Sequence, residues 1–148
     1  MDTRISANFR LSEVGRSAKA VQLGIDNTPT GAALDAAIDA ATGMELVRAL
    51  LGHYSISPNS WYRSPELNAA IGGSKTSDHL TGYAVDFSCP SFGLLKEQYK
   101  KLVDSKQLLR YDQIILEEVH IHISFHKRRR MQDLVKVGPG KYIPWNGK

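Results

Sequence analysis

The stretch "YDQIILEEVHIHISF", residues 111–125, restricts the fold of this chain more than any other. Two β-prone runs flank Glu117 and Glu118, and runs of this kind around a short polar break pair as a hairpin. In the second run successive side chains alternate between faces. His120 and His122 therefore project together, while Ile121 and Ile123 point the other way. The isoleucine face suits a core, and the imidazole face brings two nitrogen donors to one place.

The remaining elements surround such a sheet. "TPTGAALDAAIDAATGMELVRALLG" places Leu34, Ile38, Ala41, Leu46 and Leu50 at near-helical spacing, with Gly52 to end the helix. "YSISPNSWYRS" is β-prone but broken by Pro58, which predicts an edge strand or a strand with a turn. "SPELNAAIGG" offers Ser64 as N-cap, Pro65 in the first turn and a glycine pair as a stop. "YAVDFSC" is a strand, and "SFGLLKEQYKKLVDSK" puts Leu94, Leu95, Tyr99, Leu102 and Val103 on one helical face. Helices that precede and interrupt hairpin-capable strands predict an α+β fold: a small antiparallel sheet with helices packed on one side. With 148 residues, no repeat and no low-complexity linker, residues 1–148 are expected to form a single domain.

Composition excludes some classes. A hydrophobic share of 42% with 23% charged residues argues against disorder. The one cysteine, Cys89, cannot form an internal disulfide, and a buried inert thiol is its commonest fate. No stretch is long and apolar enough to cross a bilayer, and "MDTRISANFRLSE" lacks the apolar core of a signal peptide. Synthesis in a cytoplasm is expected. Net charge is +4, with the excess in "HKRRRMQDLVKVGPGK" of the C-terminal segment 126–148. A basic surface suits an anionic wall polymer or nucleic acid, and is equally a solvated face.

A second constellation lies in "SKTSDHLTGYAVDF", where His79 and Asp86 stand seven positions apart around Gly82. A catalytic zinc takes three nitrogen or carboxylate ligands and leaves a position to water. His79, Asp86 and either His120 or His122 would supply that set, with Glu117 and Glu118 just upstream. The alternative is a hydrogen-bonded histidine pair on a sheet face. By residue type alone, Arg63 is equally a surface ion-pair partner and Ser77 a turn or capping serine. Trp61, Tyr83 and Phe125 are more often core than substrate platform, and His53 and His126 have no placed partner.

"SDHLTGYAVDF" followed by "HIHISF" resembles the zinc D-alanyl-D-alanine carboxypeptidase family of peptidoglycan peptidases. "WYRSPELNAAIGGSKTS" and "YDQIILE" add to the resemblance in the family's order, over roughly residues 9 to 125. It implies zinc held by His79, Asp86 and His122, with His120 hydrogen-bonding the transition state. Arg63 would hold a substrate carboxylate or the oxyanion, and Ser77 would support the metal loop or contact substrate. Many relatives carry an acid three residues before the last ligand, a position that is Val119 here. Glu117, three before His120, is favoured as the base over Glu118. Were His120 the ligand, Glu117 would have the familiar spacing, so both choices stay open.

The function implied is zinc-dependent hydrolysis of an amide in peptidoglycan stem peptides or crosslinks, as in bacteriophage lysis enzymes or virion-associated wall peptidases. Such an enzyme would act on the wall after release. Two rivals are a non-catalytic zinc-containing wall-binding or virion module, and a nucleic-acid-binding protein using "KRRR", which is disfavoured. Bond specificity, host and oligomeric state are left open by the sequence.

Overall fold

A computed structural model describes residues 2–147 of the chain. The hairpin expected from residues 111–125 sits at its centre, with strands Gln113–Leu116 (β2) and Ile121–Ser124 (β3) antiparallel and Ile114 opposite Ile123. Ala84–Phe87 (β1) flanks β3, pairing Val85 with Ile123 and Asp86 with His122. Gln132–Gly138 (β4) and Lys141–Pro144 (β5) complete the order β1-β3-β2-β4-β5. Period-two alternation then sorts the faces. Val85, Phe87, Ile114, Ile121 and Ile123 enter the core, while Asp86, Ile115 and His122 share the opposite face.

Six helices are described: Leu11–Val14 (α1), Ala18–Leu23 (α2), Gly31–Leu50 (α3), Pro65–Ala70 (α4), Leu95–Asp104 (α5) and Lys106–Leu109 (α6). The α+β class expected from the sequence is what forms. The sheet is mixed rather than wholly antiparallel, because β4 runs parallel to β2 with Gln132 level with Gln113. β3 ends at Ser124, beside that same Gln113, so the short connection 125–131 needs only to pass the start of β2. No helix among the described residues is long and apolar enough to cross a membrane.

Two local expectations need correction. α3 buries Ala37, Ala40, Ala41, Met44 and Val47, whereas Ile38 and Leu46 are 40% and 37% exposed. The small side chains win the core face because the sheet approaches closely there: a Cβ on Gly43 would stand 2.4 Å from the Phe125 ring. Overpacking costs about 1–3 kcal/mol, against a helix-propensity gain of about 1 kcal/mol for replacing glycine. Gly43→Ala is therefore expected to lower stability, measured as a lower urea midpoint at unchanged slope. The second correction concerns "YSISPNSWYRS", which forms no strand. It is tied to β1 by an isolated bridge, with Asp86 N–H donating to Ser60 O at 2.8 Å, and Trp61 is fully buried beside it.

The basic segment is built into the fold. Arg130 grips the fully buried Asp112 through Nε and Nη2, both at 2.9 Å, and Arg128 lies 3.1 Å from the same carboxylate and 2.5 Å from Asp78. Half of "KRRR" is thereby internal wiring. Burial opposes charge on Asp112, but the Arg130 hydrogen bonds and the two guanidinium charges outweigh it and hold the carboxyl below its ordinary value. A depressed folded value means stability that is present above the unfolded carboxylate range, near ~3.9, and lost as pH falls toward the folded value. The stability gap between the native chain and Asp112→Asn is expected to narrow below about pH 4, read from denaturation curves across pH 3–6.

Candidate metal centre

The chain between α4 and β1 turns tightly to present His79. Ser77 Oγ accepts from the His79 N–H at 3.2 Å, and Leu80 N–H donates to Ser77 O at 3.1 Å. Gly82 has φ +91°, and a Cβ there would lie 2.4 Å from Ala33 O at the start of α3, so only glycine allows this passage. Trp61 holds the loop at two points. Its indole N–H donates to Gly82 O at 3.0 Å, and its own carbonyl accepts from His79 Nδ1 at 2.5 Å.

A carbonyl can only accept, so Nδ1 carries the proton and Nε2 keeps its lone pair. That Nε2 is buried, has no hydrogen-bond partner and sits 3.2 Å from Asp86 Oδ2. An orphaned lone pair in a polar cleft is the mark of a metal-ligand position. The β1–β3 pairing brings in the other two groups: His122 Nδ1 is 2.9 Å from Asp86 Oδ1, and the His79 and His122 rings meet edge to face at 5.1 Å. Ligand atoms of His79, Asp86 and His122 all lie within 4.8 Å of one another. Two imidazoles and a carboxylate that converge with one unsatisfied nitrogen fit a zinc ion.

The electrostatics agree. Burial disfavours the Asp86 carboxylate, yet the His122 hydrogen bond and the imidazoles packed against the group outweigh it and hold it far below the usual carboxylate range. His120, just before β3, lies 3.1 Å from Glu117 Oε2 and 3.5 Å from Asp86 Oδ2. Asp86, Glu117 and His120 form a second, overlapping set of ligand atoms. The Glu117 hydrogen bond raises the His120 pKa against the effect of burial. For Glu117 burial works upward, and the His120 hydrogen bond brings the balance below the ordinary value.

Arg63 enters the same cleft from the segment before α4. Its N–H donates to His79 O at 3.0 Å and its Nη1 to Asn68 Oδ1 at 3.2 Å, while its Nε is buried with no partner. Burial lowers its pKa, and the nearby carboxylates Asp86 and Glu117 counter part of that. The cleft has a volume of about 630 Å³ and is lined by Arg63, Ser77, His79, Asp86, Glu117, His120 and His122. A larger hollow of about 780 Å³ beside α1 and α2 contains no histidine, so chemistry rather than size marks the site.

Glu118 and Val119 are exposed in the β2–β3 turn and do not line the cleft. His53 is exposed, and His126 packs edge to face on Tyr83 at 5.0 Å. The sequence reading missed Leu134, Lys136 and Tyr142, which also line the cleft. Leu134 and Lys136 stand two apart on β4, and Lys136 is opposite Tyr142 on β5. Alternation in "QDLVKVG" is compatible with a strand but does not say which strand it pairs with, and the pairing with β2 is what brings these side chains to the cleft.

A family model described as Peptidase M15 matches residues 7–124. No curated protein matches the chain.

Proposed function

The chain belongs to the peptidase M15 family, a family of zinc-dependent metallopeptidases, and on that premise we propose that it hydrolyses an amide in bacterial peptidoglycan stem peptides or their crosslinks. The observation that carries this reading is the buried, unpartnered His79 Nε2 facing Asp86 and His122. Those three residues would hold zinc, and the ion would polarise the scissile carbonyl and make a water acidic enough to attack near neutral pH.

The chain's own groups supply the rest. Glu117 takes the proton of the attacking water and returns it to the leaving amine, a transfer suited to a carboxylate held charged beside His120. His120 donates to the oxygen on which charge develops. Arg63 lines the cleft with an unpartnered Nε and a planar fork, which fits a carboxylate of the stem peptide bidentately. Ser77 keeps His79 in position through the turn. His120 in place of His122 as ligand is the second reading, supported by the overlapping Asp86–Glu117–His120 set.

The biological setting we assign is wall degradation, in bacteriophage lysis or by a virion-borne enzyme. Mass spectrometry of purified muropeptides, digested with and without a chelator, tests the activity. A mass loss abolished by chelation and restored by zinc identifies both bond and metal. Unchanged muropeptides under every condition would end the reading.

A further inference from the structure

We infer that the β4–β5 hairpin forms a second anion subsite, in which Lys136 reads a carboxylate that the substrate carries close to the bond that is cut. The inference rests on the peptidase reading above and deepens it. The parallel register sets Leu116 level with Val135, so Glu117 and Lys136, one step further, are level and face the same cleft. Lys136 Nζ stands 3.6 Å from Glu117 Oε1, too far for a strong hydrogen bond, and its side chain is 30% exposed. Glu117 already has His120 at 3.1 Å. The ammonium is therefore only loosely paired with Glu117 and keeps donors for an incoming anion, with Leu134 and Tyr142 as its neighbours on the cleft wall.

Arg63 lies on the segment that bridges to β1, and Lys136 lies on β4. A peptide laid over the sheet with its reacting amide above Glu117 and His120 would meet Lys136 on the β4 side and Arg63 on the β1 side. The hairpin that supplies Lys136 lies outside the family match over 7–124, so this wall is a feature of the chain's own C-terminal part.

The test uses the zinc-loaded protein and two dansylated stem peptides with free C-termini. One carries a carboxylate at its D-glutamyl residue, and the other has a carboxamide there. Rapid-mixing fluorescence reads binding before turnover, and product analysis follows turnover in the same samples. Lys136→Met is expected to weaken the carboxylate peptide about tenfold and the amidated one less than about twofold. Lys136→Arg should restore most of the difference. Equal weakening of both peptides, or no discrimination by the native protein while turnover persists, overturns the inference alone. Failure of the native protein to bind either peptide overturns it together with the peptidase reading.

Discussion

Asp86→Ala is expected to strip the protein of zinc and of turnover together. Asp86 is the hub of the cluster, within 3.2 Å of His79 Nε2, 2.9 Å of His122 Nδ1 and 3.5 Å of His120 Nε2. Loss of an outer-shell partner of a metal ligand already costs about 10–100-fold in affinity or activity, and a direct ligand should cost more. Zinc per chain, measured by plasma mass spectrometry after dialysis, should fall from about one to near zero. Asp86→Asn, which keeps the shape and loses the charge, separates metal loss from misfolding: it should retain the native circular dichroism and still hold little zinc. A variant with full zinc occupancy would remove Asp86 from the proposed ligand set.

Glu117→Gln should have the opposite signature, with zinc kept and turnover lost. A positioned general base contributes about 10²–10⁴-fold, and an amide of the same shape cannot take the proton. The loss is expected in kcat, with KM little changed, because the proton moves only in the transition state. The same variant separates the two ligand readings. Zinc loss in Glu117→Gln would favour the Asp86–Glu117–His120 set, and full activity would favour a non-catalytic module or another base.

Much of this was legible because it is local. Alternation in "HIHISF" placed Ile121 and Ile123 on one face and His122 on the other, and the structure pairs that strand with the "YAVDF" strand so that Val85 joins the first face and Asp86 the second. Ser64 caps α4 through Leu67 N–H, with Pro65 in its first turn, as the sequence pattern required. What escaped depended on distant partners. The core face of α3 went to alanines because Phe125, far along the chain, crosses at Gly43. Arg128 and Arg130 of "KRRR" took structural roles because Asp78 and Asp112 await them, and no nearby residue signals that pairing. Lys136 entered the cleft only through the parallel pairing of β4 with β2, which nothing in the pattern around residues 132–138 announces.

The clamp of Trp61 on both Gly82 and His79 has a broader consequence. The indole is fully buried and packs edge to face on Phe9 at 5.9 Å, so the same collapse that closes the interior also fixes the imidazole ring and its tautomer. An arriving ion thus meets a rigid seat, and the entropy of assembling that corner is settled during folding rather than at capture. Slackening the interior around Phe9 would then be felt as weaker ion retention, long before the chain unravels.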